Sequence, residues 1–352
     1  MNQRTVALSL CVIAGLAGPT YSAAKPKPGT KPASKPAAPQ KAPPANPPIK
    51  GANQMAGGEG KLGVTYTVGK ESPLNFTLNS AEYTVERVNI EDSTHDAKAE
   101  EKLLVLNCTI HNPNKYETGF DWATFRFTVV DAENVNHDYV QQVGDSGSRK
   151  SLNIQLKPAQ KIDVYTVIKV PAKGVIPKLI VQHHSGGDVL RYDLRGQVKA
   201  LAAPFADPTD KNGATARTEV TAEAGTFYPM LGFDVKLVKT EYSAGPLGEW
   251  EAEEGQRFFI ATLTIKNAAS SEAHYDFGNF APTLVASDDE KVEWNSVLLK
   301  TARNEAASGD LKPGAEYTAR IFFSLPKDVT AKTLTFSEPE SRVYIFDVSG
   351  TK

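Results

Sequence analysis

The stretch Cys108–Phe125, CTIHNPNKYETGFDWATF, is written again 155 residues later as Leu263–Phe280, LTIKNAASSEAHYDFGNF. Asn112 and Asn267, Asp121 and Asp276, and Phe125 and Phe280 are identical at that spacing. Working outward, LLVLNCTIHN from Leu103 matches FFIATLTIKN from Phe258, and LKPAQKIDVYTVIKVP from Leu156 matches LKPGAEYTARIFFSLP from Leu311. Near the ends of the two copies, LRYDLRG from Leu190 matches YIFDVSG from Tyr344 at 154. So few length changes over such a span identify an internal duplication, and the fold is that of one unit used twice.

Within each copy the hydrophobic period is two. Leu104, Leu106, Cys108 and Ile110 alternate with more polar neighbours, as do Phe259, Ala261, Leu263 and Ile265. Ile162, Val164, Thr166, Ile168 and Val170 form a second such run, and Tyr317, Ala319, Ile321, Phe323 and Leu325 are its counterpart. Alternation places one face of a strand in a core and the other toward water. Turn signals such as NPN, KPG and SGG separate the runs, and no amphipathic helical pattern intervenes. The expectation is all-β: two tandem immunoglobulin-like antiparallel β-sandwiches, residues 62–196 and 223–352, joined by a linker at 197–222.

The order of elements is a hydrophobic strand ending in Asn, a gap to Asp among aromatics, an LKPG turn, and a strand ending in Pro. It resembles the telokin-like, immunoglobulin-like domain of unknown function found in bacterial secreted proteins and lipoproteins. EEGQRFFIATLTIKN and LKPGAEYTARIFFSLP of the second copy carry the likeness best. The first copy departs from it with Ala159 at the turn glycine and with the longer insertion EDSTHDAKAEEK, residues 91–102. The resemblance implies an extracellular or envelope location and no established catalytic residues.

The N-terminus reads as a secretory signal. A short basic start precedes the apolar run TVALSLCVIAGLAG, and Ser22 and Ala24 suit a cleavage site after residue 24. Leu10 before Cys11 is unlike a lipoprotein signal, so a secreted or periplasmic, envelope-associated protein is expected. Residues 25–61 are rich in Pro, Lys and Ala and read as a disordered tether, at about 3.1 Å per residue if extended. They hold seven lysines and one acid, while residues 62–352 hold 31 basic and 40 acidic side chains. A cationic tail on an acidic body suits attachment to an anionic envelope polymer, and the body's charge argues against nucleic acid.

Candidate sites follow from what the duplication leaves unexplained. With Cys11 in the signal, Cys108 has no intrachain partner, and its counterpart Leu263 marks it as a core residue. GDSGS at Gly144 resembles the nucleophile motif of trypsin-like serine proteases. Ser146, however, aligns with Thr301 in a loop lacking the motif, and no histidine motif precedes it. His183 and His184, adjacent on a strand, are expected on opposite faces and so ill placed to chelate one ion. Asn112, Asn267, Asp121 and Asp276, with Phe125 and Phe280, read as structural repeat positions, and Trp122 with its counterpart Phe277 reads as core. Trp250, opposite His95 in the first copy, stands with Glu249, Glu251, Glu253 and Glu254 in an unmatched loop. These five are the candidate partner-binding residues, for a protein or a glycan; no catalytic, cofactor or metal residue is expected. The reading is a non-catalytic interaction module, with a spacer lacking any ligand and a hydrolase with an unrecognised site as alternatives.

Overall fold

A computed structural model of the chain describes residues 57–230 and 232–352; the signal segment and nearly all of the Pro/Lys-rich tail lie outside the described residues. The described chain is β-structure throughout, with one short 3-10 turn at Phe277–Asn279. The described residues form one compact unit.

The duplication is reproduced in the order of the sheets. In the first sandwich one sheet runs Gly57–Gly60, Val189–Asp193, Lys178–His183, Phe125–Val130, Asn136–Asp138. In the second the corresponding order is Glu219–Ala222, Val343–Asp347, Ala331–Phe336, Pro282–Ala286, Lys291–Glu293. The facing sheets are built round Lys161–Pro171, Glu101–His111 and Leu74–Thr84 in one case, and Glu316–Pro326, Gln256–Lys266 and Phe233–Ser243 in the other. Even the irregularities repeat: the pairing slips between Leu78 and Ser80, and again between Leu237 and Lys239. In each sandwich a parallel edge strand, Gly57–Gly60 or Glu219–Ala222, closes the first sheet, so each sandwich begins a few residues earlier than expected, inside the segments read as tether and linker.

Alternation does what it promises on the inner faces. Leu104, Leu106, Cys108 and Ile110 are buried beside Phe76, Phe125 and Phe127, and Phe259, Leu263, Ile265, Phe323 and Phe336 fill the second core. The outer faces of the central strands are not all open to water. Leu103, Val105, Tyr165 and Val167 form a second small core under Ile90, in a hairpin supplied by the 88–95 segment. Phe258, Ile260, Leu299 and Phe322 form its counterpart under Leu247 and Trp250. The strands are thus hydrophobic on both sides where an insertion covers them.

The segment 197–222 is bound to both sandwiches. Val198–Lys199 pairs with the Leu74–Thr84 strand, Glu219–Ala222 pairs with Val343–Asp347, and Leu201, Phe205, Ala214 and Ala216 between them are buried. Lys102 is the anchor. Its fully buried ammonium donates to the carbonyls of Ala172 (3.1 Å), Gly174 (2.5 Å) and Ala214, and lies 4.5 Å over the Tyr83 ring. Burial pulls its pKa down to about 8. Arg257, its counterpart, repeats the motif over the Tyr242 ring and donates to the Val329 carbonyl at 2.8 Å.

The insertion that sets the first copy apart holds the sandwiches together. Arg342, at the edge of the second, donates to the carbonyls of Ala97, Lys98 and Glu101 in the insertion and of Arg217 before the second sandwich. The Ala99 amide donates to the Glu340 carbonyl at 2.7 Å, and the Ser270 amide to Thr94 Oγ1 at 3.2 Å. Nearby, Arg87 pairs with Asp234 and Asn89 donates to the Ala268 carbonyl.

Candidate functional site

The identical residues of the duplication build the same device twice. Asn112 is wholly buried; its amide donates to the carbonyls of Tyr116 and Leu156, both at 2.8 Å, and its oxygen accepts from the Asn114 amide. Asn267 does the same with Ser271, Leu311 and Ala269, each 155 residues from its equivalent. A buried amide with its groups satisfied ties strand end, following loop and LKP turn into one unit.

Asp121 and Asp276 each close a tight turn. The Asp121 carboxylate accepts from the Ala123 amide (3.0 Å) and the Thr124 hydroxyl (2.9 Å), and its own amide donates back to Thr124 Oγ1. Asp276 accepts from the Gly278 amide at 2.8 Å while its amide donates to Asn279 Oδ1. This reciprocal capping stops the strand and breaks its alternation. Phe125 and Phe280, just beyond, resume the core as buried rings.

The residue after each aspartate is consequently thrown outward. Trp122 is 44% exposed and Phe277 is 52% exposed. The sequence reading placed both in the core because aromatics match at equivalent positions; the capped turn, which strand periodicity does not register, corrects it. The signal was present as Asp followed three residues later by Thr or Asn, a turn-closing pattern around the aromatic.

Trp122 stands at the rim of a groove of about 430 Å³ lined also by Arg126, Asp138, Tyr139, Gln141, Gln182, His183 and His184. The Tyr139 hydroxyl donates to the Trp122 carbonyl at 2.6 Å, and Arg126 is paired with Asp138 at 2.7 Å. Thr128 donates to the other oxygen of Asp138; with Arg126 it holds that carboxyl below its usual range. His183 ends its strand, buried and edge-on to Phe125, and His184 lies in the turn beyond. Their rings stack at 4.6 Å, contrary to the opposite faces expected of adjacent strand residues, because the strand stops between them. Burial, and secondarily His184, pushes the His183 pKa down to about 4. Among the described residues, no group of three or more His, Cys, Asp or Glu side chains is arranged to hold a metal ion.

The remaining candidates fall elsewhere. Trp250 is half-buried, its ring edge-on to Phe322 at 5.6 Å, and it caps the outer core that Ile90 caps in the first copy. Matching it to His95 by position hid that equivalence. Glu249, Glu251, Glu253 and Glu254 are exposed around it. Ser146 is exposed, with its amide bonded to the Asp163 carbonyl, and Asp145 beside it accepts from Gly147 and Ser148. Cys108 is buried, which raises its thiol pKa. A cleft of about 710 Å³ between the sandwiches is lined by Glu86, Glu91, Asp92 and Asp234 against Arg87, Arg149, Lys150 and Lys266, so its charges cancel. No helix among the described residues is long and apolar enough to cross a membrane.

Residues 231–343 match a family described as Domain of unknown function (DUF4352), so the similarity to that family lies in the second sandwich. No curated protein matches the sequence. Solved structures similar to parts of the chain include an uncharacterized beta-sandwich protein from Clostridium difficile 630, at 13% identity over 40% of this chain and 97% of that one, with a TM-score of 0.32. The secreted protein MPT63 from Mycobacterium tuberculosis is 14% identical over 40% of this chain and 99% of its own, with a TM-score of 0.29. The yjhA protein from Bacillus subtilis is 16% identical over 38% and 99%, with a TM-score of 0.28.

Proposed function

We propose that the chain is a non-catalytic recognition module, secreted or held in the cell envelope, whose two sandwich domains grip a protein or glycan partner through their turns and loops. The observation that carries this is the duplicated display of an exposed aromatic, Trp122 and Phe277, on a turn fixed by a capping aspartate. Apolar rings left 44% and 52% exposed on fixed turns are of the kind that binding interfaces draw on. The loop holding Glu249, Glu251, Glu253 and Glu254 belongs to the proposal as an exposed acidic rim, with Trp250 packed beneath it. The lysine-rich segment 25–61 adds sequence-tolerant attraction to anionic envelope polymers, which salt screens.

The test is sedimentation of the chain with purified envelopes at about 300 mM salt, where a Debye length of roughly 6 Å suppresses the tail's contribution. Replacing Trp122 and Phe277 together by Ala is expected to abolish the retention that persists there. A spacer would be retained equally with or without the two rings.

A further inference from the structure

We propose that the groove beside Trp122 binds a neutral glycan, with one pyranose ring stacked on the exposed indole and its hydroxyls met by the polar rim. This deepens the recognition reading above and rests on it.

The lining chemistry selects the ligand. One flat apolar surface, Trp122, is bordered by Arg126, Asp138, Gln141, Gln182 and His184, side chains that donate and accept hydrogen bonds. A pyranose has the complementary surface: an apolar face of C–H groups and an edge of hydroxyls. A protein anchor calls instead for an apolar surround that excludes water from the central aromatic, and this groove does not supply one. The charges select against polyanions, because Arg126 is matched by Asp138 at 2.7 Å, leaving the ion pair with no net attraction for a uronate or phosphate. The groove, at about 430 Å³, falls within the roughly 300–1,000 Å³ of small-molecule clefts.

The site is also held in shape before any ligand arrives. The turn carrying Trp122 is closed by Asp121 and fastened by the Tyr139 hydroxyl at 2.6 Å. Asp138, which orients Arg126, is itself fixed by the Thr128 hydroxyl at 2.6 Å. Pre-set geometry of this kind lowers the ordering cost of binding. The second sandwich keeps the ring but not the rim: Arg126, Gln182 and His184 correspond to Ala281, Ser337 and Pro339. Sugar binding is therefore assigned to the first sandwich alone.

The full chain is titrated by calorimetry and tryptophan fluorescence with cellohexaose and with the hexamer of N-acetylglucosamine at about 300 mM salt. Saturable binding of at least one is expected, weakened about tenfold or more in Trp122→Ala, less in Trp122→Phe, and unchanged in Phe277→Ala. Trp122 is 44% exposed, so the melting temperature and circular dichroism of the Ala variant are measured alongside, and loss of binding with the native spectrum retained is loss of the site and not of the fold. Failure of both hexamers to bind, or equal binding by Trp122→Ala, overturns the glycan assignment. If no hexamer binds but the double Ala variant still loses its envelope retention, a protein partner takes the glycan's place and the module reading stands. Unchanged retention of that double variant defeats the module reading itself.

Discussion

Arg342 of the second sandwich donates to the backbone carbonyl of Glu101 at the start of a central strand of the first. Its other nitrogens reach Ala97, Lys98 and Arg217, so the guanidinium is spent on carbonyls from the insertion and the connecting segment. Arg342→Ala leaves these part-buried carbonyls without their donor and empties the space of a buried side chain, and a loss of about 1–3 kcal/mol is expected. The loss should also uncouple the sandwiches, turning a single urea transition into two; calorimetry and tryptophan fluorescence of the variant check this. One unshifted transition would show that the clamp contributes little.

The LKP turns provide a matched pair of substitutions. Ala159 and Gly314 occupy the same place with φ of 61° and 77°, a left-handed backbone that disfavours any side chain. Nothing lies within 4 Å of a Cβ added at Gly314, so the strain there is conformational alone. Gly314→Ala is expected to destabilise by about 1 kcal/mol, and Ala159→Gly to stabilise by about 0.5–1 kcal/mol. Urea denaturation of both variants gives the signs, and a less stable Ala159→Gly would refute the account of this turn.

His183 makes stability depend on pH in a stated direction. Its folded pKa of about 4 lies below the ordinary 6.5, so the unfolded chain binds a proton that the folded chain refuses. The contribution is complete above pH 6.5, shrinks as pH falls toward 4, and is then lost, amounting to about 2–3 kcal/mol. Acidic side chains titrate in part of that window, so the readout is a difference: His183→Gln should lose less stability than the parent between pH 7.5 and 4.5. Parallel curves for the two would remove His183 as the cause.

The duplication, the strand alternation and the two-sandwich architecture were legible in the sequence because each is a periodicity, and periodicity survives without coordinates. What escaped was whatever interrupts a period. Trp122 and Phe277 fall where a capping aspartate ends the strand, so the match of aromatic to aromatic, which pointed to the core, put them on the wrong side. Trp250 was read as an unmatched loop ring, since its packing equivalent is Ile90, in a hairpin of different length. The insertion 91–102 was visible as extra length, but that its backbone receives Arg342 is a long-range fact, more than 240 residues apart in sequence, that no local pattern encodes.

The central claim, that Trp122 and Phe277 are the recognition rings, is tested most directly by hydroxyl-radical footprinting of the chain, free and bound to purified envelopes. In the free chain Trp122 and Phe277 should oxidise readily and Trp250 slowly, following their exposure. On binding, Trp122 and Phe277 should become protected while Trp250 stays as it was. Protection of Trp250 with Trp122 and Phe277 left fully reactive would contradict the account.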